Sequence, residues 1–229
     1  MAWIRYLLYF LGITLLTGLL TWLEVTYPGS LRLHVFVDAG DTLGTSEFSP
    51  VELMQSWILI VCGLLIGWVA YHYAWQRPIA FPFGGLALMF LIRENDYFLD
   101  RYVFDNLWPV LVAIAGALVI AYTYRQRKRL RISLARIWPS AGLTLFFAGA
   151  VILFGFVSFI GHEPLWQSIL GDDYRRVAKL AVEEFTELIG YFLWLVGAIE
   201  YVYQTREISM RDPQPAAVRR RQTKLGRRG

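Results

Sequence analysis

The sequence predicts an all-α, polytopic membrane protein, a helical bundle of about six transmembrane helices with both termini inside. Of its 229 residues, 56% are hydrophobic and only 17% are charged, whereas about a quarter of the residues in a soluble domain are charged. Most of the chain falls into apolar runs, and about 20 apolar residues are enough to cross about 30 Å of hydrocarbon. The excess apolar surface therefore needs lipid around it.

The spans can be assigned in order along the chain. The first is expected over 3–22; the alternative of a signal peptide is less favoured, because no small-residue cleavage site precedes Glu24. Residues 24–50 are polar and rich in turn-forming residues, which indicates an external loop with a short strand near 31–37. Four further spans are expected at 51–75, 108–124, 137–160 and 180–203. Pro109 and Pro139 suit the first turns of two of these helices.

The segment 79–101 is harder to assign. Its apolar part ends at Ile92 after about a dozen residues, which is short of the usual length of about 20 for a span. Two alternatives remain open. Either the segment is re-entrant, or the helix continues through Arg93-Glu94-Asn95-Asp96 and carries charges to membrane depth.

The distribution of charge favours six spans. Basic residues concentrate in short cytoplasmic connections, and six spans with both termini inside place 16 of the 22 lysines and arginines there, with 15 of the 18 acidic residues outside. The inside would then hold the basic loop 125–136 and a basic tail at 206–229, which we expect to be disordered. The six-span domain would occupy 1–205. These features favour the inner membrane of a bacterium.

The partners expected from composition are lipids. The lipid bilayer surrounds the spans, and the basic loop and tail should attract anionic lipid head groups. A membrane-protein partner or a second copy of the chain is also compatible with the sequence. The basic tail lacks interleaved aromatic residues, so no nucleic acid is expected as a partner. Gly63 and Gly67 match a small-xxx-small pattern, which we interpret as packing inside the bundle rather than as a dimer face.

Polar residues recur at one predicted depth, near the external leaflet. We expect carboxylates at Glu94, Asp96, Glu184 and Glu187 to be the catalytic candidates, because clustered carboxylates suit general acid–base chemistry. Arg93, Asp96 and Asp100 are spaced to lie on one helical stripe. The remaining polar groups at this depth are expected to bind substrate: Glu52, Gln55, Arg93, Asp100, His162 and Glu183.

Two interpretations of this layer compete. Ionisable side chains are rare within spans and usually face a partner or a watery cavity, which favours a pocket where Arg93 neutralises carboxylates while others bind a cation or move protons. The alternative is structural: charged helix ends lie at the head groups, and Arg93 pairs with a glutamate to join two helices. The short third run places the charges deeper than usual, which strengthens the pocket interpretation, but the structural interpretation remains slightly favoured.

The sequence indicates no particular cofactor. It has no phosphate loop, no Cys-x-x-Cys, no His-Glu-x-x-His and no nucleophile elbow. Its three histidines lie too far apart in predicted depth for a three-histidine zinc site, although one histidine with several carboxylates could bind magnesium, manganese, calcium or zinc. The metal, if any, is undetermined.

Three classes of function remain open at this point. The first is a protein that acts on or binds a lipid or lipid-linked substrate at the external leaflet. The second is an accessory, scaffold or sensory membrane subunit in which the polar layer is structural. The third is a small cation or proton-coupled transporter, which is disfavoured because few polar residues lie between the outer layer and Glu200.

Overall fold

A computed structural model describes residues 2–31, 49–174 and 176–211. The described residues form helices and turns, with no strand among them. The α-helices are α1 (Ala2–Thr26), α2 (Pro50–His72), α3 (Arg77–Glu94), α4 (Asp96–Tyr102), α5 (Leu107–Arg125), α6 (Arg127–Ile137), α7 (Ala141–Ala150), α8 (Val157–Ile160), α9 (Glu163–Leu170) and α10 (Arg176–Arg211). A π-helical segment, Val151–Phe156, joins α7 to α8 without interrupting the helix, and 3-10 turns lie at Ala74–Gln76 and Gly171–Asp173.

Five stretches of helix are long and apolar enough to cross a membrane: Trp3–Thr26, Pro50–His72, Leu107–Arg125, Ala141–Ile160 and Ala178–Arg211. The chain is therefore a multi-pass membrane protein, and the all-α fold class is confirmed for the described residues. The third predicted run, now α3, is not among the five. It has 18 residues with Pro82 inside it and charged residues at both ends.

Several predicted boundaries move. α1 continues to Thr26, so the external loop begins later than residue 24; the strand expected near 31–37 falls almost entirely outside the described residues. The basic connection at 125–136 is mostly the helix α6 rather than an irregular loop. Residues 206–211 belong to α10, so the predicted disordered tail cannot begin at 206, and 212–229 lie outside the described residues.

Local sequence accounts for the helix starts. Ser49 caps α2 in a reciprocal arrangement with Glu52: the Ser49 hydroxyl accepts from the Glu52 N–H at 3.0 Å, and the Glu52 carboxylate accepts from the Ser49 N–H at 3.2 Å. Pro109 lies in the first turn of α5, as predicted. Pro139 precedes the cap residue of α7, Ser140, so the prediction that it occupies the first turn is wrong; Ser140 accepts from Leu143 N–H at 3.2 Å instead.

The long helix α10 lies at the centre of the bundle. It packs against α7 on one side and α2 on another, and α3 packs between α2 and α5. Its fully buried side chains include Leu188, Tyr191, Trp194 and Tyr201. In contrast, α5 has no buried residue and α1 contacts the bundle sparsely, so both present most of their apolar surface outward, as lipid contact requires.

Glycines bring α7 and α10 into close contact. A Cβ on Gly142 would lie 2.9 Å from the carbonyl oxygen of Gly197, and a Cβ on Gly149 would lie 2.8 Å from that of Gly190. The two pairs are each seven residues apart on their own helix, which places them along one antiparallel seam. The small residues therefore remove the side chains that would hold these two backbones apart.

The glycines singled out from sequence do not have this role. A Cβ on Gly63 or Gly67 of α2 would meet no atom within 4 Å. The prediction that they pack inside the bundle is therefore wrong for the described part of the chain. Both glycines lie on an open face of α2. A small-xxx-small spacing does not indicate whether that face of the helix points into the bundle or away from it.

Candidate functional site

The polar layer is built around the end of α3. The helix ends at Glu94, Asn95 leaves helical geometry with φ −117° and ψ 26°, and α4 begins at Asp96. The Asn95 side chain donates to Leu91 O at 2.8 Å and to Ser56 Oγ at 3.1 Å, which ties this break to α2. The break means that Arg93, Asp96 and Asp100 do not share one continuous helix, so the predicted single stripe is wrong.

Arg93 joins α3 to α10. Its Nη2 donates to Glu187 Oε1 at 2.7 Å, and its Nη1 lies 3.6 Å from Glu94 Oε1. Tyr191, one turn beyond Glu187, donates its hydroxyl to Glu94 Oε1 at 2.6 Å. We call these four residues the Arg93 cluster. The predicted pairing of Arg93 with a glutamate of the last span is present as Glu187 of α10, although it was expected under both the pocket and the structural interpretation.

Burial within the cluster is uneven. Glu187 is 2% exposed, whereas the Arg93 side chain is 42% exposed. A buried carboxylate without a cation is costly, so Arg93 holds Glu187 in place. The Arg93 side chain is thus partly exposed although Nη2 and Nη1 face Glu187 and Glu94, and an arginine has five N–H donors in total.

Gln55 and Glu184 form a second contact beside this cluster. The fully buried Gln55 amide donates from Nε2 to the backbone oxygen and the carboxylate of Glu184, both at 3.0 Å. Its Oε1 atom is buried without a hydrogen-bond partner. Gln55 thus joins α2 to α10 beside the contact that Arg93 makes between α3 and α10.

The other predicted site residues cap helices, lie elsewhere, or, in the case of Glu183, form a separate ion pair. Asp100 accepts from Leu107 N–H at 3.1 Å and so stabilises the start of α5. His162 is exposed at the start of α9. Asp96 is the first residue of α4, and Glu52 belongs to the α2 cap. Glu183 pairs with Lys179 at 3.0 Å.

A groove of about 370 Å³ opens beside the Arg93 cluster, between α3, the π segment, α8 and α10. Its lining residues run from apolar to polar: Phe90, Leu153, Phe154, Val157, Ser158, Gly161, Arg93 and Glu183. The apolar residues Phe90 and Leu153 lie deeper along their helices than Arg93 and Gly161 do, respectively. The groove therefore has an apolar inner part and a polar rim.

The π segment shapes this groove. Six residues, Val151–Phe156, adopt the wider π-helical turn, a feature that occurs often at functional sites. Leu153 and Phe154 of this segment line the groove, and Phe154 is 58% exposed on the outside of the bundle. Because the wall itself reaches the lipid-facing surface, the groove is open sideways toward the membrane.

Sequence reasoning missed Tyr191, Ser158, Gly161 and the groove itself. Tyr191 could have been found from helical periodicity, because steps of four and three along α10 place it on one stripe with Glu187. The other members of this buried stripe are Trp194, Ala198, Tyr201 and Thr205. The groove had no such signal, because its walls come from three helices that are distant in sequence.

An aromatic layer closes the bundle below the Arg93 cluster. The Phe90 and Trp194 rings are 5.3 Å apart, those of Phe146 and Trp194 are 5.6 Å apart, and Phe83 stacks on Phe146 at 4.5 Å. These four rings make up the aromatic layer, which separates the Arg93 cluster from the polar groups further along α10.

A second ion pair, which the sequence did not predict, lies beyond the aromatic layer. Arg5 of α1 donates to both carboxylate oxygens of Glu200, at 2.8 and 3.0 Å, and Tyr9 donates to Glu200 at 2.9 Å. Glu200 is 1% exposed. This contact is the main polar attachment of α1 to the bundle among the described residues.

The described residues contain no group of three or more histidine, cysteine or acidic side chains placed to hold a metal ion. Comparison with protein-family models, curated proteins and solved structures finds no match to the chain. The geometry of the described residues is therefore the only guide to function.

Proposed function

We propose that this protein binds a lipid or lipid-linked molecule from the external leaflet, in the groove beside the Arg93 cluster. The observation that carries the proposal is the polarity of the groove. Apolar side chains line its inner part, Arg93, Ser158 and Glu183 line its rim, and one wall reaches the lipid-facing surface. An amphiphile in a bilayer has the same order of polarity along its length.

The proposal includes a topology of six crossings with both termini in the cytoplasm of a bacterium. Eighteen residues of α3 extend about 27 Å, close to the thickness of the hydrocarbon. Gly84 of α3 lies against Ile66 of α2, and Phe81 stacks on Tyr122 of α5 at 4.1 Å, so α3 runs beside two candidate spans. These contacts favour a full crossing by α3 rather than a re-entrant segment. With six crossings the basic helix α6 lies on the cytoplasmic side, where it can contact anionic lipid.

A tag-accessibility experiment tests this topology. When protease is added outside the cells, a cleavage site at the C-terminus should be cut only after the membrane is permeabilised. A site inserted after Gly171 should be cut without permeabilisation. Cleavage of the C-terminal site in intact cells would refute six crossings with both ends inside.

The carboxylates near the groove are the groups through which binding could lead to chemistry. Glu183 lines the rim of the groove. Glu187 and Glu94 do not line it but contact Arg93, which does. Glu184 lies behind them against Gln55. In our proposal Glu183 and Arg93 contact the polar group of the ligand, and the remaining glutamates hold Arg93 in position.

The second candidate function is that of an accessory subunit, favoured by the open face of α2. Gly63 and Gly67 have nothing packed against them, and Trp57 and Leu64 on the same helix are 65% and 68% exposed. A partner helix could approach closely at the two glycines. The aromatic layer weighs against the third candidate, a transporter, because it separates the polar groups at the two ends of the bundle.

A photo-crosslinking experiment tests the lipid proposal. The purified protein is reconstituted with a phospholipid carrying a photoactivatable group in its acyl chain, and labelled peptides are mapped. Ser158→Trp fills the groove from an exposed position on its rim, whereas Phe159→Trp alters the next residue, which is 64% exposed and does not line the groove. Only the first variant should lose labelling of the groove peptides.

Two outcomes would count against the proposal. Labelling spread evenly over the outward surfaces of α1, α5 and α8 would mean that the lipid contacts only the general perimeter. Equal labelling of both tryptophan variants, with unchanged circular dichroism, would mean that the groove holds no lipid.

A further inference from the structure

The polar rim of the groove presents both signs of charge. Arg93 supplies a guanidinium from α3, and Glu183 supplies a carboxylate from α10, and both side chains line the same groove. A ligand with a single charge would match only one of them. This juxtaposition goes a step beyond the lipid-binding proposal and depends on it.

Arg93 suits a phosphate group. Its guanidinium is planar, always charged and able to bind phosphate oxygens with two parallel hydrogen bonds. Nη2 is directed to Glu187 at 2.7 Å and Nη1 lies 3.6 Å from Glu94, yet the side chain is 42% exposed and lines the groove. Two carboxylates do not use all five N–H donors, so a phosphodiester at the rim could bind a remaining donor while the contact to Glu187 persists.

Glu183 suits a primary ammonium. Its Oε2 atom accepts from the ammonium of Lys179, one turn earlier on α10, at 3.0 Å. In its present position this carboxylate therefore binds one ammonium through Oε2. Its Oε1 atom lies close to Gly161, where an added Cβ would come within 2.7 Å. Because Gly161 has no side chain, Oε1 is not covered on this side, and both residues line the groove.

The balance of charge favours a zwitterion over an anion. Arg93 pairs with the buried Glu94 and Glu187, and Glu183 pairs with Lys179, so three carboxylates at and behind the rim stand against two cations. A lipid with a net negative head group would add to an excess of carboxylates, whereas an ammonium next to the phosphate would offset its charge. A choline head group carries positive charge but has no N–H to donate to Glu183.

We propose that the groove selects a phospholipid whose head group carries a primary ammonium beside its phosphate, with Arg93 contacting the phosphate and Glu183 the ammonium. The groove volume, about 370 Å³, lies in the range of about 300–1,000 Å³ for small-molecule sites. It is large enough for the head group and the start of one chain along Phe90 and Phe154, and the rest of the lipid remains in the bilayer.

The test compares three phospholipids that share dioleoyl chains and differ in their head groups: ethanolamine, choline and glycerol. Binding to the full chain in detergent is measured by native mass spectrometry. We expect ethanolamine lipid to bind about two- to fivefold more tightly than choline lipid, the size of a partly exposed ion pair. Glu183→Gln should abolish that preference. Glu163→Gln, which alters an exposed glutamate on α9, should leave it intact.

The outcomes separate this inference from the proposed function. Equal binding of all three lipids, or a preference that survives Glu183→Gln, refutes the selection of an ammonium while binding that is lost in Ser158→Trp still supports the groove. Binding that no groove variant alters refutes both. If Glu183→Gln reduces the folded yield, Gly161→Ala provides the same comparison, because its methyl group displaces the Glu183 carboxylate.

Discussion

The seam between α7 and α10 makes a quantitative prediction at Gly149. In Gly149→Ala, the new methyl carbon would lie 2.8 Å from the carbonyl oxygen of Gly190 and 2.4 Å from Cδ1 of Trp194. Ordinary contact begins at about 3.4 Å, so the helices would have to separate by about 0.6 Å at Gly190 and by about 1 Å at Trp194. Trp194 has little freedom to move away, since its indole is fully buried and donates to Phe146 O at 3.1 Å.

Overpacking of this kind costs about 1–3 kcal/mol, and it should exceed the helix-propensity gain of up to about 1 kcal/mol from replacing glycine by alanine. The matched control is Gly63→Ala, where the methyl group meets open space and only the gain remains. Unfolding by sodium dodecyl sulfate in mixed micelles, followed by circular dichroism, measures both. We expect a lower midpoint for Gly149→Ala and an unchanged or higher midpoint for Gly63→Ala; equal midpoints would refute the close-packed seam.

Three further predictions concern polar contacts. Arg93→Met should destabilise by about 3 kcal/mol, because Glu187 then lies buried without its cation, and Arg93→Met/Glu187→Met should recover most of this loss in the same detergent titration; no recovery would contradict the pairing. Ser49→Ala should cost about 1 kcal/mol by removing the α2 cap, and hydrogen exchange should speed up in the first turn of α2 but not at its far end. Glu200→Leu should loosen α1, since it removes the acceptor of Arg5; spin labels on α1 and α10 should then give a broader distance distribution, and an unchanged distribution would show that apolar contacts suffice.

Hydropathy was enough to predict the spans because a membrane helix must bury its backbone polar groups in its own hydrogen bonds. A long apolar run can therefore be assigned as a helix without tertiary information, and five of the predicted spans correspond to long helices. The helix ends were less accurate. Ser140, rather than Pro139, begins α7, because a side-chain cap determines the first turn more directly than a proline nearby.

The polar layer could be predicted only in part. Counting residues along the spans gave a common depth for Arg93, Glu184 and Glu187, and depth is a property of each helix alone. Which side chains meet at that depth depends on rotation about each helix axis. That is why the partner of Arg93 could be anticipated as a glutamate of the last span, whereas the hydroxyl of Tyr191 on Glu94 was not.

The same limit explains the misassigned small residues. Gly63 and Gly67 have the spacing of a packing motif, but a spacing gives no information about which way the face points. Gly142 and Gly149 are separated by seven residues and form the actual seam with α10. What distinguishes them from Gly63 and Gly67 is a matching pair on α10, Gly190 and Gly197, which are also seven residues apart. Such a match is found only when two helices are compared with each other.

The length of α10 has a mechanical consequence. Its 36 residues extend about 54 Å, more than the 40–45 Å or so of a whole bilayer with its head groups. Glu187 and Glu200 lie 13 residues apart on this helix, about 20 Å along its axis, and a helix longer than its membrane adapts to changes in bilayer thickness by tilting. Tilting moves the two ends of α10 in opposite directions, so the groove beside Glu187 and the attachment of α1 at Glu200 would shift together.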